Sequence, residues 1–445
     1  MSETFQFGLK FVLWAKDAGI PFAVVRGLED EHAPPGDVDL ITTDPKLLRK
    51  AIKKFCKQNN ASVIRPVRRH YVEIYRIVFK SKSGALCCAK FDVHNGEQWR
   101  GATYLKAEEA VQQSNVVDRI PRLNPRHALI ANIFQASLAG LPMKESRIAR
   151  IQNRLEQITV EDRVRLKQEI SSLIGVDVQS SIENIGHIGS LVKTRRTAFW
   201  FISLKGMPMA TIYNISVTIY RKIKNFIFPP GIYISIIGPD GAGKSTLVKA
   251  LSEKMGVFCA GEHFIVQHWR PGVLRPLATF RRGVGSPDGV SSRGSEVQSA
   301  SGVTKARQIS SLIRFIYYLG DYLVGYWFRT RPALVAEGVV ICDRYVDDFV
   351  IAPANRSNVF LPKTWKSVLA IIVPQPPIRF YLRGEPSLLH ARKSEETLEE
   401  LQYLVCAYDR HSAESDIEIL DATKKPQNIV SQVLTRVSGG NRWAE

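Results

Sequence analysis

Apolar and polar residues alternate with two different periods along the first part of the chain. In "ETFQFGLKFVLWAKDAG" the apolar residues recur three and four positions apart, which predicts a helix. "PFAVVRG" and "DVDLIT" are short apolar runs that predict strands, and "DPKLLRKAIKKFCKQN" predicts a helix capped by Asp44. "HYVEIYRIVFK" and "ALCCAKFDVH" flank a Ser-Lys-Ser-Gly turn and predict a hairpin. Residues 1–120 therefore predict an α+β domain.

Residues 121–229 follow a helical pattern with many basic positions, as in "SRIARIQNRLEQITVEDRVRLKQEISSLI". No catalytic spacing stands out, so we interpret this region as a basic helical connector. Its last part, residues 198–230, is aromatic-rich with a basic end. Two interpretations stay open for it: peripheral contact with a membrane interface, or a helix packed against the next domain.

Strand and helix patterns alternate through residues 230–445. This alternation predicts a doubly wound parallel sheet with helices on both faces. The predicted strands are Ile232–Ile237, Val339–Cys342, Leu369–Val373, Ile378–Leu382 and Ile417–Leu420. The Gly/Ser-rich residues 281–305 interrupt the pattern, and we expect a mobile insert there.

Charge and cysteine content narrow the class of protein. The 445 residues carry a net charge of +19, and residues 121–230 hold 16 lysines and arginines against 7 acids. Such a balance suits nucleotides, nucleic acid or an anionic membrane, although a solvated basic surface explains it equally well. The six cysteines form no CxxC pair, and the N-terminus lacks a basic start and a cleavage site. We therefore expect a reduced, cytoplasmic protein without a spanning helix, with membrane-peripheral location as the alternative.

A phosphate-binding loop is the clearest chemical signal. "GPDGAGKS" fits the pattern G-x-x-x-x-G-K-[ST], follows the strand pattern "IYISII" and precedes the helix pattern "KSTLVKALSEKM". Glycines allow the backbone amides to point at phosphate oxygens, the lysine reaches the β- and γ-phosphates, and the hydroxyl after it ligates Mg²⁺. The predicted nucleotide-binding residues are Gly238, Asp240, Gly241, Gly243, Lys244, Ser245 and Thr246.

A second magnesium ligand is predicted in "EGVVICDRY". Its apolar run ends at Asp343, and the carboxyl end of such a strand lies beside the phosphate loop in a doubly wound sheet. Arg344 follows directly and is suited to hold a substrate phosphate with two hydrogen bonds.

These motifs resemble the thymidylate kinase family of P-loop phosphotransferases, over about residues 230–438. "GPDGAGKSTL", "DRY", "HWRPG", "YLRGEP", "ARKSEETLEEL" and "LDAT" correspond to motifs of that family. The resemblance implies ATP and Mg²⁺ as cofactors and a small-molecule phosphoryl acceptor held by Arg270 and Arg344. It also implies that Arg392, or Lys393 beside it, closes over the transferred group. We expect no nucleic-acid partner, and a homodimer stays open.

The chain departs from the family where the acceptor would bind. "DRYVDDFVIAPANR" lacks the Ser and Ala-Tyr-Gln element of thymidylate-binding members, and Trp269 and Arg270 replace the Glu of Arg-Glu-Pro-Gly. The leading hypothesis is a nucleoside monophosphate kinase with a dTMP-like acceptor. A kinase for a sugar or surface-polysaccharide precursor stays open.

The first domain carries its own candidate metal ligands. In "RGLEDEHAPPGDVDLIT", Asp37 and Asp39 lie on one face of a strand, and Asp92 follows on a later strand. Three such carboxylates can hold Mg²⁺ ions for nucleotidyl transfer. The pattern resembles the nucleotidyltransferase fold, with Gly27 upstream and Leu28 in place of the usual Ser. A bifunctional enzyme and an inactive domain of this fold both stay open.

Overall fold

The structure is a computed structural model that describes residues 2–28, 37–68, 71–140, 145–178, 185–259, 263–268, 305–351, 371–394 and 396–439. By its contacts the chain divides into two compact units. One contains the residues up to Phe228 and those from Leu434, and the other contains Pro229–Val433. Among the described residues no helix is long and apolar enough to cross a membrane. The predicted division into 1–120, 121–229 and 230–445 stays a prediction.

The first unit combines a mixed sheet with helices. Its helices are Glu3–Asp17 (α1), Pro45–Gln58 (α2), Ala107–Gln112 (α3), Pro125–Leu138 (α4), Glu145–Gln157 (α5), Val160–Ile174 (α6), Ile185–Thr194 (α7), Arg196–Gly206 (α8) and Pro208–Ile227 (α9). Its strands are Phe22–Arg26 (β1), Val38–Thr42 (β2), Ser62–Arg68 (β3), Val72–Lys80 (β4), Leu86–His94 (β5), Glu97–Trp99 (β6), Ala102–Leu105 (β7), Asn115–Val117 (β8) and Ile120–Arg122 (β9).

Seven of these strands form one sheet in the order β3-β4-β5-β2-β1-β9-β8. Successive residues of a strand point to opposite faces, and β1 illustrates this with Phe22 and Val24 in one apolar cluster and Ala23 in another. The first cluster includes α1 and α2, and the second includes α4. The sheet is therefore covered by helices on both faces.

Two elements of this unit were predicted from short sequence motifs and are present in the structure. Asp44 accepts hydrogen bonds from the amides of Lys46 and Leu47, each at 2.9 Å, so the predicted cap of α2 is confirmed. The predicted hairpin is confirmed too, because β4 and β5 pair antiparallel from Val72↔His94 to Lys80↔Leu86.

The second unit is built on a parallel five-stranded sheet in the order β11-β12-β10-β13-β14. The strands are Ile232–Ile237 (β10), Phe264–His268 (β11), Val339–Asp343 (β12), Ile378–Arg383 (β13) and Glu418–Asp421 (β14). The helices are Lys244–Met255 (α10), Lys305–Gly325 (α11), Arg331–Val335 (α12), Val346–Ile351 (α13), Pro386–Arg392 (α14) and Leu398–Glu414 (α15). Pro426–Gly439 (α16) is the last described helix, and its residues from Leu434 are grouped with the first unit. The predicted parallel sheet is confirmed.

One predicted strand of this sheet is wrong. Within Leu369–Val373 the described residues Ile371 and Ile372 are helical, and Ile371 is 82% exposed. The fifth strand is β11 instead, which the sequence pattern did not indicate. Residues 281–304 of the predicted insert lie outside the described residues.

All six cysteines lie in the described part of the chain and are free thiols. Cys56, Cys88 and Cys342 are buried, and Cys406 on α15 is exposed.

Candidate nucleotide and phosphoryl-transfer site

A loop of tight backbone turns joins β10 to α10. Gly238 has φ 146° and Gly241 has φ 80°, a region that favours glycine. A Cβ at Gly238 would lie 2.7 Å from the carbonyl oxygen of Leu382, and one at Gly241 would lie 2.8 Å from that of Leu389. Only glycine therefore lets this loop pass so close to β13 and α14.

The loop lines a cavity of about 250 Å³. The lining residues are Asp240, Gly241, Gly243, Lys244, Ser245, Thr246, His268, Asp343, Arg344 and Lys393. The structure thus brings together most of the predicted nucleotide-binding residues with Asp343 and Arg344. Arg270 lies outside the described residues.

Lys244 is the buried cation of this cavity. Its side chain is 6% exposed, and Nζ donates hydrogen bonds to the carbonyl oxygens of Gly238 at 2.9 Å and Pro239 at 2.6 Å. Burial, helped by the positive charge of Arg344, lowers the pKa of Lys244 to about 8. The ammonium is therefore hydrogen-bonded to neutral carbonyls, and the carboxylate of Asp240 lies further away, with Oδ1 at 3.9 Å.

Asp343 lies at the carboxyl end of β12, in register with Ile236 of β10 and His268 of β11. Ser245 Oγ donates to its Oδ2 at 3.3 Å, and His268 Nδ1 lies 3.0 Å from the same oxygen. Its Oδ1 is buried and has no hydrogen-bond partner among the described residues. A buried carboxylate oxygen without a donor is costly unless a cation or water takes that position.

Arg344 is held by two carboxylates. It pairs with Asp240 of the loop, and its Nη1 donates to Asp348 Oδ2 at 3.1 Å. Tyr408 of α15 donates its hydroxyl to Asp348 Oδ1 at 2.8 Å. Burial raises the pKa of Asp348 to about 6, although the positive charges of Arg344 and Lys244 oppose this. The guanidinium is therefore fixed beside the phosphate loop before any ligand binds.

Of the two predicted closing cations, Lys393 lines the cavity and Arg392 does not. Arg392 donates to the carbonyl oxygen of Ala422 at 3.3 Å and 3.4 Å, beyond the end of β14. His268 and Asp348 are site residues that the sequence analysis did not assign. A polar residue at the carboxyl end of a strand next to Asp343 was the signal for His268, and it was missed because β11 was missed.

The three acids predicted in the first unit do come together. Carboxylate oxygens of Asp37, Asp39 and Asp92 all lie within 4.8 Å of one another, and Asp39 and Asp92 are paired in register on β2 and β5. Lys90 Nζ bridges Asp37 at 2.8 Å and Asp92 at 3.0 Å, and Arg26 pairs with Asp39. Two basic side chains of the protein thus already contact all three acids.

Burial shapes the chemistry of this cluster. It raises the pKa of Asp39 to about 6 against the opposing charge of Arg26. One oxygen each of Asp39 and Asp92 is buried without a hydrogen-bond partner among the described residues. The described cavity beside Asp39 measures about 10 Å³, room for about one water molecule.

A further group, formed by Glu109, His127 and Glu169, also has ligand-type atoms within 4.8 Å of one another. Here Arg126 lies 3.6 Å from Glu169 Oε2 and 3.4 Å from His127 Nε2. A cation of the protein thus already contacts two of the three groups, so we interpret this group as an ion-pair cluster.

Comparison with known proteins gives partial similarity. No protein-family model matches the chain. Thymidylate kinase of Exiguobacterium sibiricum is 28% identical over 117 residues, which is 26% of this chain and 46% of the relative. Thymidylate kinase of Staphylococcus epidermidis is 30% identical over 115 residues, which is 26% of this chain and 45% of the relative. The chain thus spans about half the length of the curated relatives it matches.

Among solved structures, thymidylate kinase from Ehrlichia chaffeensis matches with a TM-score of 0.31 and 14% identity, covering 46% of this chain and 97% of that chain. We draw no functional argument from a structural similarity of this size. The predicted resemblance of residues 1–120 to nucleotidyltransferases stays a prediction. Over about a quarter of its length, the chain is similar in sequence to thymidylate kinases.

Proposed function

We propose that the protein is an ATP- and Mg²⁺-dependent phosphotransferase that transfers the γ-phosphoryl group of ATP to a nucleoside monophosphate. One observation carries the proposal: Ser245 and the unpaired oxygen of Asp343 meet at a cavity that also contains the buried Lys244. A glycine loop with these three groups is the arrangement expected of a nucleotide kinase. The partial sequence similarity to thymidylate kinases supports the same class of reaction.

The residues present fit a magnesium ion in their donor chemistry. Ser245 supplies a hydroxyl oxygen, and Asp343 supplies a carboxylate oxygen that receives no hydrogen bond from the described residues. Both are the hard oxygen ligands that Mg²⁺ prefers. Mg²⁺ bound there would neutralise charge on the phosphate oxygens during transfer.

Three basic residues of the chain bind the phosphate groups and the acceptor in this proposal. Lys244 exchanges the loop carbonyls for phosphate oxygens when nucleotide binds, which replaces neutral partners by charged ones. Arg344, fixed by Asp240 and Asp348, presents its guanidinium toward the cavity to hold the acceptor. Lys393 lines the cavity and is better placed than Arg392 to approach the transferred group.

The chemical identity of the phosphoryl acceptor is the least defined feature of the proposed reaction. The similarity to thymidylate kinases favours a deoxynucleoside monophosphate such as dTMP. The motif departures at Trp269 and Asp347 keep a sugar or polysaccharide-precursor phosphate as the alternative acceptor. A panel of these acceptors, assayed by ADP release with ATP, separates the two: turnover with dTMP supports the first, and turnover with a sugar phosphate alone supports the second.

Replacing Lys244 by Ala tests the reaction itself. We expect ADP release to fall by about 10²–10³-fold, because the buried charge that steadies the transferred phosphoryl group is lost. Lys249→Ala is the matched control, because Lys249 lies on the same helix and is exposed. Equal activity of the Lys244 variant and the control would contradict the proposal.

Nucleotidyl transfer by the first unit is a second candidate, favoured by the three clustered acids. A metal ion between Asp37 and Asp92 would have to displace Lys90, and the small cavity requires the site to open before a nucleotide enters. We expect Asp39→Asn to abolish any pyrophosphate release from ATP while leaving ADP release unchanged. Pyrophosphate release that survives this substitution would remove the candidate.

A further inference from the structure

Helix α9, Pro208–Ile227, exposes an unusual amount of apolar surface. Its exposed apolar residues recur at helical spacing, with the exposed Ser216 in the gap between Tyr213 and Ile219, so they form one stripe. They are Met209 at 80%, Ile212 at 53%, Tyr213 at 68%, Ile219 at 54%, Tyr220 at 64%, Ile223 at 55%, Phe226 at 55% and Ile227 at 54% exposed. Phe201 of α8 and Phe228 after α9, at 64% and 62%, belong to the same region of the chain.

Two polar residues of α9, Thr211 and Asn214, face the protein instead. Thr211 is 2% exposed, and its hydroxyl donates to the carbonyl oxygen of Ser203 on α8 at 3.4 Å. Asn214 Nδ2 donates to the carbonyl oxygen of Gly101 at 3.1 Å. A surface helix in a water-soluble unit normally turns its apolar stripe inward, so the orientation of α9 is inverted.

Close backbone packing holds α9 in this orientation. Gly101 has φ 88°, and a Cβ there would lie 2.9 Å from Ile215 Cγ1 and 3.2 Å from the carbonyl oxygen of Thr211. Trp200 of α8 donates its ring N–H to the carbonyl oxygen of Arg100 at 3.3 Å. Rotating the apolar stripe inward would break these contacts.

The charged residues of α8 and α9 themselves all carry the same sign. Residues 184–239 contain seven lysines and arginines and no aspartate or glutamate. Lys205, Lys222 and Lys224 are exposed on or beside the two helices. A surface that combines an apolar stripe, tyrosines and lysines without an acid is complementary to an anionic lipid interface.

We propose that this outward face of α8 and α9 binds an anionic phospholipid membrane surface. The helix lies in the interface, with the isoleucines and Phe226 among the acyl chains, the tyrosines at the headgroup level and the lysines at the lipid phosphates. A protein groove would also cover apolar residues, but it gives no reason for a stretch of 56 residues without an acid.

A cavity next to the stripe supports a lipid as the occupant. It measures about 360 Å³ and is lined by Trp99, Arg100, Thr197, Trp200, Phe201 and Ile215. Arg100 is the one charged residue among these described lining residues, and its guanidinium lies 4.9 Å from the ring centroid of Trp99. Aromatic walls with a single cation suit an acyl chain beneath a phosphate.

Flotation of the full-length protein with vesicles tests the proposal. We expect binding to phosphatidylcholine vesicles that contain phosphatidylserine to be about a hundredfold tighter than to pure phosphatidylcholine vesicles, because the two helices carry three exposed lysines and no acid. Added salt should remove most of this difference. Equal binding to both vesicles, or binding to neither, overturns the proposal.

A pair of double variants locates the surface. Ile219→Gln with Ile223→Gln should reduce vesicle binding at least about tenfold and leave ADP release unchanged. Ile313→Gln with Ile316→Gln on α11 is the matched control, because those residues are 58% and 59% exposed. Unfolding temperatures of both variants establish that they fold.

Two outcomes of that comparison overturn the assignment. Unchanged vesicle binding by the α9 variant would remove the lipid surface from this helix. If light scattering instead finds a dimer that only the α9 variant loses, and vesicles do not bind, the face is an interface between two copies of the chain. Neither outcome bears on the proposed kinase reaction, which depends on residues of the other unit.

Discussion

Lys244 is a buried cation of the cavity, with a side chain that is 6% exposed and hydrogen-bonded to two loop carbonyls. Burial and the positive charge of Arg344 destabilise its charged form more than Asp348, Asp240 and Asp343 stabilise it, which is why its pKa falls to about 8. A bound nucleotide would reverse this balance, because phosphate oxygens favour the protonated amine. Nucleotide affinity should therefore depend on pH through this one group.

The expected pH dependence has a definite sign. Below about pH 8 the free protein carries a protonated Lys244 and nucleotide affinity should be constant. Above that pH the amine is neutral in the free protein and must be reprotonated on binding, so affinity should fall, by up to about tenfold per pH unit. Titration calorimetry with Mg²⁺-ADP between about pH 7 and pH 9.5 measures it.

Lys244→Arg is the control, because a guanidinium stays protonated throughout this range. If it binds nucleotide, its affinity should be flat over the range in which the wild-type affinity falls. A flat wild-type curve would show that the lowered pKa does not govern binding.

At the residue scale, sequence reasoning succeeded where the signal is local. The phosphate loop is a continuous motif, and Asp343 ends an apolar run, so both were found without a structure. The partners of Arg344 were not found, because Asp240 and Asp348 lie 104 and 4 positions away and only the folded sheet brings all three together. The choice between Arg392 and Lys393 likewise depends on how α14 ends.

Helix α15, Leu398–Glu414, is the element that supports the acids behind the site. It begins with a capping box, in which Thr397 Oγ1 accepts from the amide of Glu400 and Glu400 accepts from the amide of Thr397. Further along, Tyr408 donates to Asp348, and His411 lies 2.9 Å from Asp347. The capping box therefore stabilises the same helix that positions Asp347 and Asp348.

Removing that cap should weaken the second unit. We expect Thr397→Ala to lower the free energy of unfolding by about 1 kcal/mol, because one helix-start amide loses its acceptor. Urea unfolding measures this, with Thr397→Ser as the control that keeps the hydroxyl. Equal destabilisation by both substitutions would assign the effect to the lost methyl group.

At the element scale, apolar runs between turns predicted four of the five strands in the second unit. The failure at Leu369–Val373 has a physical reason, because a short apolar run fits the end of a helix as well as a buried strand. Strand β11 was not predicted, because it lies at the sheet edge and is only partly buried, with Val266 43% exposed. Neither error moved the predicted phosphate loop.

On the scale of the whole molecule, the chain consists of two compact units, and the proposed nucleotide site belongs to the second. A ligand that binds only the folded form of one unit stabilises that unit, by about 2.7 kcal/mol at a hundred times its dissociation constant. The two units should therefore respond differently to nucleotide.

Differential scanning calorimetry tests this difference. Mg²⁺-ADP should raise the unfolding temperature of the transition that belongs to Pro229–Val433 and leave the other transition in place. Lys244→Ala should abolish the shift. An equal shift of both transitions in the wild-type protein would mean that the units unfold as one.

The sequence predicted the organisation of the whole chain only coarsely. The sequence patterns predicted three regions, whose bounds stay a prediction, and the alternation after residue 230 predicted the parallel sheet. The inverted orientation of α9 could not be predicted, because the apolar period is the same whether the stripe faces the protein or the solvent. Gly101 and Asn214 decide that orientation, and they are separated by 113 positions.

The exposed thiol of Cys406 has a practical consequence. It lies on α15, two residues before the tyrosine that holds Asp348, while three of the other thiols are buried. A maleimide fluorophore should therefore attach preferentially at this position, where its emission would report any movement of the helix on substrate binding.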